Sequence, residues 1–164
     1  MEQKQVKYSI VIPSYNHLTD CLIPCVAAIK KYTDLRNAEV IVVANGCTDG
    51  TKEYLEYQNQ KESYPWFHYV WYDEGLGFAK AANEGIKASV GEYIILLNND
   101  AFLLEQPIND WINKLEEPFK DPKVGITGPL KLYDKYAGER ILIFFCVIEF
   151  AVLAIFVPKL CASI

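Results

Sequence analysis

YIILLNND, the stretch from Tyr93 to Asp100, is an apolar run that ends directly in two asparagines and an aspartate. A run this short and this apolar is typical of a strand buried on both faces of a parallel sheet. Runs of the same kind precede and follow it, and the five begin at residues 8, 39, 67, 93 and 124. The other four are YSIVI (Tyr8–Ile12), EVIVV (Glu39–Val43), FHYVW (Phe67–Trp71) and VGIT (Val124–Thr127).

The segments between these runs carry apolar residues at roughly helical intervals, which predicts four helices. These helices are expected over residues 18–32, 51–58, 78–88 and 107–115. The spacing of the runs suits a strand, a helix and two turns, so the order is βαβαβαβ. Repeated crossovers of this kind predict an α/β fold: a mostly parallel sheet with helices on both faces.

Length and charge narrow the class of protein. A chain of 164 residues has the size of one domain, and 51% hydrophobic with 23% charged residues supports a packed core. Sixteen Lys and Arg against 21 Asp and Glu give a net charge of −5, and the pI is near 5.1. Because no basic stripe is available to neutralise phosphates, nucleic acid is not an expected partner.

The cysteines and the first residues bear on location. Five cysteines form an odd set inside mostly apolar runs, which favours buried thiols in a reducing, cytoplasmic compartment over a disulfide framework. Cys21 and Cys25 lie four residues apart, but a chain with two histidines offers few further zinc ligands. The polar start, residues 1–5, predicts no cleavable signal peptide.

Polar residues follow each of the first four apolar runs. In parallel sheets the ligand site lies beyond the carboxyl ends of the strands, so these residues predict a binding site at that edge. Turn chemistry, which also favours Asn, Asp and Gly, is the alternative explanation for any one loop. The four stretches are Pro13–Asn16, Ala44–Asp49, Tyr72–Gly75 and Asn98–Asp100.

The usual nucleotide motifs are absent from the sequence. Gly75-Leu76-Gly77 has Lys80 where a dinucleotide fingerprint requires a third glycine, and no Gly-Lys-Ser/Thr loop occurs. A bound nucleotide would then be held by a divalent metal that bridges a carboxylate to phosphate oxygens. Asp100, at the mouth of the predicted cleft, is the best candidate for that carboxylate, unless it only closes a turn.

Four stretches, in this order, resemble the family 2 glycosyltransferases of the GT-A fold, inverting enzymes that use nucleotide-diphosphate sugars. The resemblance covers roughly Lys7 to Pro129. The stretches are YSIVIPSYN (8–16), VVANGCTDGT (42–51), GLGFAKAANEGI (75–86) and GEYIILLNND (91–100).

The resemblance implies a Rossmann-like nucleotide-sugar-binding domain over residues 1–129, with residues 130–164 forming the remainder of the core and an apolar tail. It implies a Mn or Mg ion at Asp100 and a donor of the UDP, dTDP or GDP type. The implied donor-binding residues are Pro13, Ser14, Tyr15, Asn45, Gly77, Lys80, Asn83, Asn98 and Asn99.

Three positions depart from the family pattern. Ala44 replaces an aspartate that many members use against the base, which leaves that contact to Asn45 or to the backbone. Asn98 replaces the first aspartate of the metal element, and Gly75 stands where relatives often have Asn. These changes occur in branches that build bacterial surface polysaccharides, which implies a saccharide or lipid-linked acceptor.

The catalytic base is not evident. The family's base lies in a later acidic motif, and the only acidic residues after Pro129 are Asp134, Glu139 and Glu149. The chain therefore looks truncated at its acceptor half, with a base that is absent or supplied by one of these three.

The apolar run Ile141–Val157 contains one charged residue, Glu149. It is explained by a core strand at Phe144–Val147 plus a helix, by self-association, by peripheral contact with the inner face of a membrane, or by a poorly packed tail. Three functions remain in competition: a glycosyltransferase domain, a donor-binding remnant without transfer activity and, less favoured, a nucleotidyltransferase. The last usually has a glycine-rich, basic loop after the first strand.

Overall fold

Five strands form one sheet in the computed structural model, which describes residues 6–61, 66–128 and 155–158. The strands are β1 (Tyr8–Ser14), β2 (Ala38–Asn45), β3 (Phe67–Tyr72), β4 (Tyr93–Leu96) and β5 (Ile155–Pro158). Their order across the sheet is β3-β2-β1-β4-β5. The first four are parallel, and β5 runs antiparallel to β4. The predicted α/β, mostly parallel sheet is confirmed.

The four predicted helices are also present. They are α1 (Ile23–Tyr32), α2 (Thr51–Lys61), α3 (Phe78–Ala88) and α4 (Asp110–Glu116). Helix α3 has the predicted bounds, and each of the other three is shifted at one end or both. A π-helical turn, Leu18–Leu22, precedes α1, and a 3-10 turn, Glu117–Lys120, follows α4. Pro24, in the first turn of α1, has no backbone N–H to donate, and this position is where a helix tolerates that loss.

The two faces of β1 serve two hydrophobic cores. Ile10 and Ile12 pack with residues of α1, α2 and α4, whereas Val11 points the other way and packs with Ala81 and Ala82 of α3. All three β1 side chains are fully buried. Burial of one such side chain stabilises the fold by about 1.5–3 kcal/mol. In a strand covered on both faces every side chain is buried, whereas in a strand covered on one face only every second side chain is. Helices therefore lie on both faces of the sheet, as predicted.

Helix α4 is held to the start of β1 by polar contacts. Lys7 Nζ lies 2.7 Å from Glu116 Oε1, and the Tyr8 hydroxyl donates to Glu116 Oε2. Burial and the hydrogen bond to Glu116 raise the pKa of Tyr8 to about 12, so the phenol keeps its proton at neutral pH. These contacts position α4 at the amino edge of the sheet, away from the loops that follow the strands.

One predicted strand is wrong. Val124–Thr127 forms no strand: Thr127 makes a single bridge, and its Oγ1 donates to the Leu115 carbonyl. The residues just before it make a turn, in which Val124 N donates to the Asp121 carbonyl and Lys123 N to Asp121 Oδ1. Turn chemistry at Asp121-Pro122 thus prevails over the β-propensity of a short run, and the position beside β4 is taken by β5.

Several predictions for the end of the chain fall outside the described residues. These include the strand at Phe144–Val147 and most of the apolar run 141–157, of which β5 is the described part. Within residues 6–61 and 66–128, no helix has both the length and the apolar character needed to cross a bilayer.

Helix α3 approaches β1 closely because residue 85 has no side chain. A Cβ at Gly85 would lie 2.2 Å from Val11 Cγ1 and 3.0 Å from Val43 Cγ2, both on buried, β-branched residues. Such side chains have little freedom to move aside. The small residue therefore sets the distance between α3 and the sheet.

We expect Gly85→Ala to destabilise the protein by roughly 1–3 kcal/mol, the usual cost of forcing extra volume into a packed core. The free energy of urea unfolding measures this. Gly125→Ala is the matched control, because no described atom lies within 4 Å of a Cβ there and its φ is not positive. Equal stability of the two variants would contradict the close packing of α3.

Candidate active site

A cleft of about 600 Å³ lies at the carboxyl edge of the sheet. It collects eight of the ten residues that the sequence assigned to donor and metal binding. Its lining consists of Pro13, Ser14, Tyr15, Asn45, Gly46, Gly75, Gly77, Phe78, Asn98, Asn99 and Asp100. Lys80 and Asn83, by contrast, lie in a separate depression of about 420 Å³ with Tyr72, Leu76, Glu84 and Lys87.

The cleft exists because neighbouring strands end at the same level. β1 pairs with β2 up to Ser14 opposite Ala44, and Leu97 N continues the β4 pairing by donating to the Val11 carbonyl. Gly46 N donates to the Tyr72 carbonyl at 3.0 Å, which extends the pairing with the end of β3 one residue beyond β2. The loops that follow the four parallel strands thus start side by side.

Asp100 has a buried oxygen atom that suits a metal ion. Its Oδ1 is a buried oxygen that accepts no hydrogen bond from any residue in the described part of the chain. A buried carboxylate oxygen without a partner is costly, and a hard divalent cation is a ligand that such an oxygen binds. The residues at this point therefore fit a metal of the Mn or Mg type.

Asn98 and Asn99 connect this loop to the neighbouring elements. Asn99 Nδ2 donates to Ser14 Oγ at 3.1 Å, which joins the loop after β4 to the end of β1. The Asn98 carbonyl accepts from the Cys25 thiol at a sulfur distance of 3.7 Å, which joins it to α1. These two contacts hold the two residues that precede Asp100.

Asn45 has a structural task that the sequence did not predict. Its side chain is 8% exposed, and its Oδ1 accepts from Leu76 N at 2.6 Å. This bond fixes the loop between β3 and α3. At the adjacent Gly46, with φ of 80°, a Cβ would lie 2.7 Å from Gly75 N, so only glycine allows the two loops to meet.

Two exposed aromatic side chains flank the cleft. Tyr15 is 60% exposed and Phe78 50% exposed, although apolar rings usually pack inward. Phe78 opens α3 directly after Gly77, whose φ is 79°. Phe78 belongs to the stretch GLGFAKAANEGI, but no role was predicted for it. The signal that could have identified it is an aromatic residue at the first position of a helix that follows a strand end.

The loops on the other side of the cleft are joined by acidic and amide side chains. Asn16 Oδ1 accepts from Thr48 N at 2.8 Å, and Asp49 Oδ2 accepts from Leu18 N at 2.9 Å. Partial burial alone would raise the pKa of Asp49, but hydrogen bonds from Thr51 Oγ1 and Leu18 N hold that pKa below its ordinary value. Asp49 is therefore ionised at neutral pH.

The three residues considered for the catalytic base, Asp134, Glu139 and Glu149, lie outside the described residues.

The sequence profile of the family "Glycosyl transferase family 2" matches residues 9–141, most of the chain. The chain belongs to glycosyl transferase family 2. The resemblance found in the sequence is thereby confirmed.

Individual proteins of this kind are similar over much of the chain. The glycosyltransferase GlyG of Streptococcus pneumoniae serotype 4 is 32% identical over 149 residues, which cover 88% of this chain and 47% of GlyG. The mannosyltransferase PcManGT of Pyrobaculum calidifontis superposes with a TM-score of 0.67 at 22% identity, over 79% of this chain and 37% of that one. S. aureus TarS 1-349 in complex with UDP gives 0.56 at 22% identity, over 68% and 32%.

These likenesses have a definite extent. The chain spans about half the length of GlyG and about a third of each of the two solved structures. The structural likeness to PcManGT and TarS, at 22% identity, shows that this chain has the GT-A fold.

The bond between Asn45 and Leu76 generates a prediction. We expect Asn45→Ala to lower the free energy of unfolding by about 1–3 kcal/mol, because the Leu76 N–H loses its acceptor. Asn45→Asp keeps an acceptor oxygen in the same place, now on a carboxylate, and should retain most of the stability. Urea unfolding of both variants tests this; equal losses in the two would show that the acceptor oxygen is not what stabilises the loop.

Proposed function

We propose that this chain binds a nucleoside-diphosphate sugar in the 600 Å³ cleft and serves the transfer of that sugar to a saccharide or lipid-linked acceptor. The observation that carries the proposal is the buried Oδ1 of Asp100, which has no hydrogen-bond partner among the described residues and lies in a cleft built by three strand ends. Family membership and the fold support the same conclusion, and PcManGT, in complex with GDP-Man and Mn2+, and TarS, in complex with UDP, support a nucleotide donor.

Asp100 is the residue that would hold the divalent cation, Mn or Mg, with Asn98 and Asn99 beside it. Such a cation, when bound, neutralises charge on the diphosphate and on the leaving oxygen. The chain's own contribution is placement: the Asn99–Ser14 and Cys25–Asn98 contacts hold the Asp100 loop in position before any ligand arrives. This preorganisation reduces the ordering cost of binding.

Helix α3 offers a second contribution to the diphosphate. It spans 11 residues, and Gly77 at its N-cap provides no side chain to hydrogen bond the first N–H groups. Free N–H groups and the helix dipole favour an anion at this end. Because Gly77 and Phe78 line the cleft, the start of α3 lies where the phosphates would be.

The base and the sugar have their own candidate contacts. Tyr15, after β1, presents a ring on which a nucleobase can stack, and Ser14 and Pro13 line the adjoining wall. Lys80 and Asn83 lie in the neighbouring depression, on the exposed side of α3. We assign them to the outer part of the donor site, where a lysine would attract a negatively charged ligand.

The reaction implied by the family is a single displacement with inversion at the anomeric carbon. An acceptor hydroxyl attacks, the nucleoside diphosphate leaves, and a carboxylate takes the hydroxyl proton. No carboxylate of the described cleft other than Asp100 is placed for that task, and Asp100 is assigned to the cation. The base is then one of Asp134, Glu139 and Glu149, or it lies outside this chain.

A donor-binding domain without transfer activity is the second candidate function. It is favoured by one fact: the acidic motif that supplies the family's base is not recognisable after Pro129. Both candidates require the same donor cleft and differ only in the proton acceptor.

The first test concerns the cation. We expect Asp100→Asn to abolish the Mn²⁺-dependent part of UDP, dTDP or GDP binding, because the amide oxygen is a neutral and weaker ligand. Calorimetric titration with and without Mn²⁺ measures this, and thermal unfolding shows whether the fold is intact. Asp121→Asn is the matched control, since this exposed carboxylate serves a distant turn. Equal Mn²⁺-dependent affinity in both variants would refute the role of Asp100.

The second test concerns transfer. We expect the 164-residue chain to bind a donor but to transfer its sugar slowly, since the loss of a general base typically costs on the order of 10²- to 10⁴-fold in rate. Labelled sugar nucleotides with saccharide and lipid-linked acceptors would reveal the products. Turnover at ordinary enzymatic rates that is lost in Asp134→Asn, Glu139→Gln or Glu149→Gln would instead identify the base within this chain.

A further inference from the structure

A second group of metal-ligating side chains lies beside the cleft. His17, Asp20 and Cys21 each present one ligand atom, an imidazole nitrogen, a carboxylate oxygen and a thiol sulfur, and these atoms all lie within 4.8 Å of one another. His17 Nδ1 is 2.9 Å from Asp20 Oδ2. His17 and Asp20 are exposed and Cys21 is half-buried, so solvent ions reach all three, which are called the His17 cluster below.

The local backbone brings the three side chains together. His17 adopts a left-handed conformation with φ of 59°, and its carbonyl accepts from both Cys21 N and Leu22 N at 3.0 Å. His17, which precedes the π-helical turn, therefore lies on the same side of that turn as Asp20 and Cys21, three and four positions later. The spacing in the sequence pairs Cys21 with Cys25 as possible zinc ligands, but Cys25 is buried and its thiol contacts Asn98 instead.

The turn that carries the His17 cluster is fixed from outside. Leu18 N donates to Asp49 Oδ2, and Asp49 Oδ1 in turn accepts from Thr51 Oγ1 at 2.6 Å. The ligand atoms are thus attached to a braced turn, and less conformational entropy is lost when an ion gathers them.

The charges acting on the cluster favour a cation. Asp20 and Asp49 act on His17, and Asp20 and Asp100 act on the Cys21 thiol. In the part of the chain that the structure describes, no lysine or arginine is among the groups that influence these two side chains. Two further carboxylates, Asp49 and Asp100, thus act on ligand atoms of nitrogen and sulfur beside the Asp20 carboxylate itself.

We propose that the His17 cluster binds a borderline-soft divalent cation of the zinc class, with His17, Asp20 and Cys21 as three ligands and water as the fourth. This site lies outside the proposed donor function, because its nitrogen and sulfur ligands suit zinc or cobalt, whereas the oxygens at Asp100 suit Mn or Mg. On binding, the thiol proton of Cys21 and any proton on the ligating imidazole nitrogen pass to solvent, so the ion is held by a thiolate, a neutral imidazole and a carboxylate.

Cobalt titration of the full chain tests the proposal, because a Co²⁺–thiolate bond gives a charge-transfer absorption in the near ultraviolet. We expect one equivalent of Co²⁺ to produce this band and Zn²⁺ to displace it. Cys21→Ser should abolish the band. His17→Asn, which tolerates the left-handed backbone, should lower the affinity by at least about 100-fold, since even outer-shell partners are worth 10- to 100-fold.

Two controls separate this site from others. The Cys146→Ser/Cys161→Ser double variant should keep the band, which excludes these two thiols as the sulfur ligand. Asp100→Asn should keep the band at saturating Co²⁺ and bind the ion more weakly only through the loss of one nearby negative charge, because Asp100 is not among the three ligands. The absence of a band, its survival in Cys21→Ser, its loss in the double variant, or its loss in Asp100→Asn would each overturn the proposal. A failure of nucleotide binding with the band intact would count against the proposed function alone.

Discussion

The parallel pairing of β1 with both β2 and β4 is the interaction on which the rest of the structure depends. Every residue of β1 is buried, and its side chains alternate between two cores. A slip of one residue in the register would exchange the two sets and place Val11 among the neighbours of Ile10 and Ile12. The same register aligns the ends of three strands, so the core and the cleft are determined together.

Side-chain amides then convert aligned strand ends into a cleft. Asn99 binds Ser14, Asn45 binds the backbone of Leu76, and Asn16 binds the backbone of Thr48. Each bond joins the end of one strand, or the loop after it, to the loop after another strand. The asparagines that suggested a ligand site in the sequence therefore have a structural task as well, and for Asn45 that task is a bond to a loop distant in the chain and not a local turn.

Local patterns were sufficient to predict the elements whose stability is local. The apolar runs at Tyr8 and Tyr93 correspond to β1 and β4, because a strand buried on both faces requires a continuous apolar run. The periodic segment at Phe78 corresponds to α3, which packs on the sheet through one stripe of small residues. Strand β5, which pairs with β4 at the edge of the sheet, could not be predicted in this way. Its residues, 155–158, lie about 60 positions after β4 in the chain, and such a pairing depends on sheet context and not on propensity.

The places of the ten candidate residues in the structure have related physical causes. Strand ends are fixed by topology, so eight of ten candidate residues line one cleft. Lys80 and Asn83 lie on a helix, where burial of Ala81, Ala82 and Gly85 decides which side faces the sheet and turns the other two toward a different depression. The His17 cluster was missed because a π-helical turn and a left-handed residue, which bring its members together, have no simple sequence signature.

The acidity of the carboxyl edge makes a cation necessary for the function proposed. Asp49, Asp73, Glu74 and Asp100 all follow strands at this edge, and a diphosphate adds further negative charge. Like charges at short range cost free energy unless a counter-charge lies between them, and the partial charge at the start of α3 is too small to balance a carboxylate and two phosphates. A divalent cation bound at Asp100, as proposed, would reverse the sign of that contact, so the carboxylate that would otherwise repel the donor would become the residue that retains it.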